Sequence, residues 1–300
     1  MKTTRSPGRQ RGVTLIELMI SLAIGLVVVG AVLVSFVGSG RAGRYQAALG
    51  QMNQDAQVGL NLLAREVQMA GYVSPGQTLG GAPGIFGCDS TRSGTVSPFT
   101  DPEAAGATTC MPWTADFVSA LEVVYEADLR TTVPSGAPPD PSDCLGAGIT
   151  ATSPNFFITR NRYHVQQSAS GRNELHCSSP AATGNTQPLI ENVEEMQLWY
   201  GVAAAAAPDT VVRYARAGRD ASTLGTINAV GAAEWGNVIS VRICLLMRSA
   251  EPVLIAEDTA ATATPTYLDC NSNPIAYPDN FLRRAYFTTA MVRAKMAQYQ

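Results

Sequence analysis

A run of twenty uncharged residues, 18–37, most constrains what this chain can become. Twenty residues at about 1.5 Å each form a helix of roughly 30 Å, which matches the hydrocarbon thickness of a bilayer. One acid, Glu17, comes directly before the run. The first twelve residues contain no acid, and their basic residues are Lys2, Arg5, Arg9 and Arg11. Because basic flanks stay in the cytoplasm, we expect a single membrane crossing that places the rest of the chain on the far side.

This run differs from an ordinary secretory signal. Such a signal has an apolar region of about 7–15 residues, followed by a small-residue cleavage site. Here the apolar region is longer, and no Ala-x-Ala-like site follows residue 37. The small residue that stands out is Gly12, which precedes the run. We therefore expect residues 13–37 to be retained as a transmembrane helix.

Residues 12–17, which read Gly-Val-Thr-Leu-Ile-Glu after a short basic stretch, resemble the class III leader of type IV prepilins. The resemblance implies that residues 1–12 are a leader peptide, which a prepilin peptidase removes by cutting between Gly12 and Val13. It also implies that the peptidase methylates the new amine of Val13. Members of this family usually have Phe at the first mature position, and Val13 departs from that pattern.

Glu17, the fifth residue of the expected mature chain, has two interpretations. A carboxylate that enters hydrocarbon must be paired, neutralised or functional. The amine of Val13 lies four residues earlier, about one helical turn. The resemblance implies that Glu17 pairs with an amine of this kind, its own or a neighbouring subunit's, during assembly into a filament. The alternative is a plain membrane anchor whose Glu17 reaches the lipid headgroups.

The composition limits the classes of function. The leader holds four basic and no acidic residues, so 17 basic and 24 acidic residues remain, and the net charge of the mature chain is −7. An acidic chain without a basic cluster argues against direct binding of nucleic acid. The sequence has no P-loop, no Gly-x-Ser-x-Gly and no His-Glu-x-x-His. We therefore predict no catalytic residues, no cofactor and no enzyme activity.

Two small clusters were considered as sites. His176, Cys177 and Ser178 are adjacent, which suits neither two ligands on one metal nor a nucleophile with its base, because neighbouring side chains in a strand point to opposite faces. Asp140, Ser142 and Asp143 do not follow the spacing of an EF-hand. We predict no metal site, and we interpret residues 140–143 as a solvated acidic loop.

All six cysteines lie beyond the apolar run. An even number on the exported side favours disulfides, and fifteen pairings are possible. Joining nearest neighbours across loop-rich stretches gives the pairing we predict, which is Cys88–Cys110, Cys144–Cys177 and Cys244–Cys270.

The helix is expected to continue past the membrane. Leu49, Met52, Ala56, Leu60, Leu63, Val67 and Ala70 follow one another at steps of three and four, which is one apolar stripe. A helix that lies on its own domain's core explains the stripe better than a free coiled coil. Glycines at 38, 40 and 43 weaken the helix, so we expect a bend there. Gly71 is predicted to cap it, and the continuation covers residues 38–72.

The remainder, residues 73–300, is predicted to be a globular head rich in β-strands. Residues 73–109 and 131–153 are rich in Gly, Pro, Ser and Thr and read as loops. Alternating apolar residues predict strands in the ranges 121–125, 156–159, 163–165, 174–177, 196–200, 211–214, 239–247 and 285–292. A long helix followed by antiparallel strands is an α+β fold.

Segments of the head resemble minor pilins of the PilW type. The matching segments are residues 63–72, 163–165, 173–177, 187–197, 200–202, 241–246 and 283–289. The resemblance implies a pilin-like fold and a low-abundance subunit that helps to initiate type IV pilus assembly and surface display. It also implies an inner-membrane protein with a periplasmic head that later enters the cell-surface pilus.

The implied partners are other minor pilins, the major pilin, the prepilin peptidase, the inner-membrane assembly platform and a tip adhesin. One alternative is a minor pseudopilin of a type II secretion system, which shares the leader and architecture. Another, of a different class, is a periplasmic binding domain or enzyme on a permanent anchor.

Overall fold

A computed structural model describes residues 12–91, 117–153, 155–180, 186–218, 230, 232–254 and 266–296. The predicted leader before Gly12, Cys110 and Trp113 lie outside these ranges. The chain divides into two compact units, residues 1–47 and 48–300, which are described separately below.

Helix α1, Leu15–Met69, is the longest element. It continues without interruption through the glycines at 38, 40 and 43, so these residues do not end the helix. Its N-terminal part is long and apolar enough to cross a membrane. In the first unit the side chains of residues 12–36 are all exposed, and Leu15 and Phe36 are each 78% accessible.

In the second unit, one face of α1 joins the core of the head. The buried residues of this face are Met52, Ala56, Leu60, Leu63, Val67 and Ala70. They are the residues of the predicted stripe, and Leu49 packs beside them partly buried. Val58, on the opposite face, is 52% exposed. This confirms that the second part of the helix lies on its own domain's core.

Gly71 ends the helix, as predicted. It has a φ of +76°, a conformation that glycine adopts without steric cost. Its N–H donates to the carbonyl oxygen of Val124 at 2.9 Å, and the N–H of Tyr72 donates to that of Met69 at 3.0 Å. A Cβ on Gly84 would lie 2.6 Å from the Cα of Gly71, so the chain passes this cap at backbone contact.

Antiparallel strands make up most of the head. They are β1 Ile85–Thr91, β2 Phe117–Ala127, β3 Phe157–Gln167, β4 Asn173–Ser178, β5 Thr186–Glu191, β6 Val193–Ala204, β7 Ala207–Ala215, β8 Val238–Arg248, β9 Thr266–Leu268, β10 Pro274–Ala276 and β11 Arg283–Met291. A 3₁₀ helix, Ala232–Asn237, precedes β8, and a short helix α2, Arg293–Met296, follows β11.

These strands form two larger sheets and one hairpin. The first sheet has the order β1-β2-β3-β4-β5, the second has the order β11-β8-β6-β7, and β9 pairs with β10. The N–H of Leu198 on β6 donates to Ser119 Oγ on β2 at 3.3 Å, which joins the two larger sheets. The core contains residues of α1, of both sheets and of the 3₁₀ helix. The predicted α+β architecture is confirmed.

Most predicted strands are present, with longer bounds. The two short ranges 156–159 and 163–165 merge into one strand, β3, which begins at Phe157 and forms a hairpin with β4. The strand that was expected to stop at Gly201 instead continues to Ala204, and the turn at residues 205–206 leads into β7.

Strand β1 is the clearest error of the sequence prediction, because residues 85–91 had been read as part of a loop. Gly87 lies inside this strand, and the reason is a close approach. A Cβ at this position would stand 2.1 Å from the hydroxyl oxygen of Tyr200, which is fully buried. The ring of Tyr200 therefore packs directly on the strand's backbone. Strand β5 was also missed.

Candidate functional site

The candidate site is the start of α1. It comprises the predicted cleavage point between Gly12 and Val13, the acid Glu17, and the apolar rod, which is the exposed apolar part of α1 from Leu18 to Phe36. Gly12, Val13 and Thr14 are not helical, and Leu15 begins the helix. Both residues that flank the expected cut are exposed, and Val13 is 67% accessible. The bond between them is therefore part of a non-helical, accessible segment of the chain.

Thr14 caps the helix. The N–H of Glu17 donates to Thr14 Oγ1 at 3.3 Å, and the N–H of Leu18 donates to the Thr14 carbonyl oxygen at 3.2 Å. A Thr at the cap and a Glu three residues later are the residues of a capping box. The sequence analysis did not assign this role to Thr14, although the Thr-x-x-Glu pattern was sufficient to find it.

Glu17 lies in the first turn of α1 and is exposed. A carboxylate in this position is favoured by the positive end of the helix dipole. The hydroxyl of Ser21 donates to the Glu17 carbonyl oxygen at 2.5 Å. Because the helix begins at Leu15, Val13 lies outside the helical turn that carries Glu17.

The apolar rod that follows Glu17 has no cover in the first unit. Its large exposed residues, each more than half accessible, are Leu18, Met19, Ile20, Leu22, Ile24, Leu26, Val27, Val28, Val29, Val32, Leu33, Val34 and Phe36. Exposed apolar surface on this scale marks an interaction with lipid or with other apolar surfaces. The arrangement is one carboxylate at the entrance of an uncovered apolar helix.

Two of the three predicted disulfides are present in the head. Cys144–Cys177 joins the loop after β2 to β4, with Cα atoms 6.3 Å apart. Cys244–Cys270 joins β8 to the β9–β10 hairpin, with Cα atoms 5.9 Å apart. Cys88 is also disulfide-bonded, and its predicted partner Cys110 lies outside the described residues.

The two clusters at residues 176–178 and 140–143 make structural contacts, not those of a metal or catalytic site. Cys177 is in a disulfide, so it is not a ligand or a nucleophile. The carboxylate of Asp143 accepts hydrogen bonds from the N–H groups of Leu145 and Ala147 within its own loop. Residues 141–143 are buried, so the prediction of a solvated loop was wrong for all but Asp140. The described residues hold no group of three or more His, Cys, Asp or Glu side chains placed to bind a metal ion.

Two tryptophans within the described ranges also have packing roles. Trp235 contacts the rings of Phe86 and Tyr200, with centroids 4.8 and 4.9 Å apart. Trp199 lies between two guanidinium groups, at 5.0 Å from that of Arg216 and 5.5 Å from that of Arg242. These cation–π contacts and ring packings stabilise the head.

His164 on β3 and His176 on β4 pair across the first sheet, with ring centroids 6.2 Å apart. His164 is fully buried, and its Nε2 lies 3.2 Å from Gln166 Oε1. His176 contacts Thr186 Oγ1 and Glu174 Oε2 at 3.0 and 3.3 Å. Burial lowers the pKa of His164 to about 4 and also lowers the pKa of His176.

The low pKa of His164 predicts a loss of stability in acid. The unfolded state takes up a proton near pH 6.5, whereas the folded state resists it until about pH 4. The contribution of His164 is therefore full above pH 6.5 and is lost as the pH falls to 4, by up to about 3 kcal/mol. Urea unfolding followed by tryptophan fluorescence at several pH values should show that His164→Asn removes this part of the pH dependence. An unchanged slope in the variant would contradict the assignment.

Two family models and a solved structure are similar to parts of this chain. The family model described as type IV pilus-assembly protein W matches residues 162–294, and the model described as prokaryotic N-terminal methylation motif matches residues 7–33. No protein of curated function matches the chain significantly. Among solved structures, a type IV-like pilin from Thermus thermophilus aligns over 81% of this chain and 97% of its own, at 11% identity and a TM-score of 0.37.

The two family matches cover the two ends of the molecule that the sequence and the structure single out. One covers the segment around Gly12 and the apolar rod, and the other covers the head from β3 to α2. The chain is therefore similar to type IV pilus-assembly protein W over residues 162–294 and to the prokaryotic N-terminal methylation motif over residues 7–33, and it combines them with a long N-terminal helix and antiparallel sheets.

Proposed function

We propose that this protein helps to initiate the assembly and surface display of type IV pili. A prepilin peptidase first removes residues 1–12 and methylates the amine of Val13. The observation that carries the proposal is the uncovered apolar rod with Glu17 at its entrance. Such a rod can exchange lipid for the matching rods of other subunits, and its acid can pair with the amine of the subunit beside it.

The small net free energy of moving the rod from lipid into a filament supports assembly that is driven by the inner-membrane assembly platform. Burial of apolar surface contributes about 25 cal/mol per Å² relative to water. The rod already lies in hydrocarbon before assembly, so most of this gain is cancelled when the subunit leaves the lipid. The specific element is therefore the charge of Glu17, because a carboxylate that enters hydrocarbon is costly unless it is paired.

The partners that fit this role are other minor pilins and the major pilin, the inner-membrane assembly platform and a tip adhesin. The head faces the periplasm before assembly, since the basic residues precede the rod. Its role is structural. The disulfide-held loops and acidic surface of the head provide specificity toward neighbouring subunits.

Mass spectrometry of the protein from cells with an active prepilin peptidase tests the maturation step. The expected N-terminus is Val13, with one methyl group on its amine. Gly12→Val should block the cut. The leader resembles that of prepilins in ending with Gly, and valine adds a side chain directly before the bond that is cleaved. An intact Met1 end in the unmodified chain would refute the cleavage.

A further inference from the structure

A cavity of about 670 Å³ lies in the head between α1 and the loop that follows β2. One wall is formed by Leu62 and Met69 of α1 and by Leu189 of β5. All three are partly buried and belong to the edge of the core. A volume of this size is typical of sites that hold a small molecule or a few side chains.

The lining of the cavity includes the carboxyl group of Glu66. Asn161 Nδ2 donates to Glu66 Oε2 at 3.0 Å and lies 3.3 Å from the hydroxyl of Tyr125, and the hydroxyl of Tyr163 also bonds Glu66. Burial raises the pKa of Glu66 above its ordinary value, more than these hydrogen bonds lower it. The acid is thus held in place by neutral donors, and the charge of Arg65 also acts on it, but less strongly than burial does.

Asp143, which also lines the cavity, is the second carboxylate there, and only 7% of it is exposed. Its Oδ1 accepts the N–H groups of Leu145 and Ala147 at 2.8 and 3.0 Å. Its Oδ2 has no hydrogen-bond partner in the described parts of the chain. A buried oxygen without a hydrogen-bond donor lowers the stability of the fold, unless a donor from another molecule reaches it.

Two arginines that line the cavity are more exposed than its two acids. Arg65 and Arg130 both line it, and both are exposed, whereas Glu66 and Asp143 are buried to a larger extent. Water screens the exposed guanidinium groups more strongly than the buried acids. The interior of the cavity is therefore negative, with an apolar wall beside it.

We propose that this cavity binds a cationic group on an aliphatic stem, of the lysine or arginine type. The cationic head lies near Glu66 and Asp143, and the stem packs on Leu62 and Met69. Long basic side chains combine these two properties, because their methylene groups pack on apolar surface while the head stays with polar partners. Either a side chain of a neighbouring protein or a free alkylamine supplies this chemistry.

The test is a binding titration of the full chain in a nonionic detergent, which does not depend on filament assembly. The probe is Nα-acetyl-lysine methylamide, and the matched uncharged probe is Nα-acetyl-norleucine methylamide. The lysine probe should bind at least about tenfold more tightly, since hydrogen bonds to a charged group are among the strong ones. Equal affinity of the two probes, or no binding of either, would overturn the proposal.

Variants locate the binding. Glu66→Gln should lower the affinity for the lysine probe by about tenfold or more. Glu191→Gln, at an exposed acid of β5 that does not line the cavity, should leave it unchanged. Met69→Trp should fill the cavity and abolish binding with both acids still present, and circular dichroism should show that it is folded. Unaltered binding in Glu66→Gln or Met69→Trp would place the probe elsewhere and refute the site.

A photo-crosslinking residue in place of Leu62, in pili assembled by cells, distinguishes the two sources. A crosslink to a peptide of another subunit that contains Lys or Arg assigns the cation to a neighbouring protein. Binding of the lysine probe without such a crosslink assigns it to a free alkylamine.

Discussion

Replacement of Glu17 by alanine is expected to abolish incorporation of this protein into pili and to reduce surface pili to a small remainder. The change removes the only charge that the described rod carries between Val13 and Phe36. The subunit should still insert into the membrane, because a more apolar helix partitions at least as well. It should fail at the next step, since nothing then pairs with the amine of the adjacent subunit. Electron microscopy of cells and immunoblots of sheared pili measure the result.

Ser21→Ala is the matched control for Glu17→Ala. Ser21 lies one turn further along the same helix and bonds the Glu17 backbone, so its loss changes the local polarity without changing the charge. This variant should assemble nearly as well as the unmodified protein. Normal pili in the Glu17→Ala strain would show that Glu17 is only an interfacial residue of a membrane anchor, and the filament role would be lost with it.

The helix could be predicted closely from the sequence because its pattern is local. The stripe from Leu49 to Ala70 repeats every three or four residues, and Gly71 stands where the repeat stops, so the boundaries follow from helical geometry. The bounds of α1 are within three residues of those expected. The cap at Thr14 was not predicted, although the Thr-x-x-Glu pattern of residues 14–17 is typical of a capping box.

Strand β1 and the cavity could not be predicted, because both depend on contacts between distant parts of the chain. Gly87 breaks the apolar alternation of β1, and its reason is Tyr200, more than a hundred residues later. The cavity combines Glu66, Asp143 and Asn161 from three separate segments, and no spacing in the sequence joins them. The disulfide Cys144–Cys177, which was predicted, fixes the loop that forms one side of the cavity, but its prediction did not indicate a cavity.

Leu63→Ala is expected to destabilise the head by about 2–5 kcal/mol, which is a large part of the stability of an ordinary domain. Leu63 is 0% exposed and packs in the main core, so its removal loses buried methyl groups and leaves a cavity. Urea unfolding followed by tryptophan fluorescence measures the change, because Trp199 and Trp235 both lie in the head.

Val58→Ala is the control on the same helix for Leu63→Ala. Val58 is 52% exposed, and alanine has the higher helix propensity, so the expected change is within about 0.5 kcal/mol. The difference between the two variants shows whether residues 48–69 form part of the head's core or only tether the head. If the head required the helix only as a tether, both substitutions would have small and similar effects. A large effect at Leu63 alone means that the second part of α1 supplies one wall of the head's core. Removal of the whole helix up to Gly71 would then unfold the head.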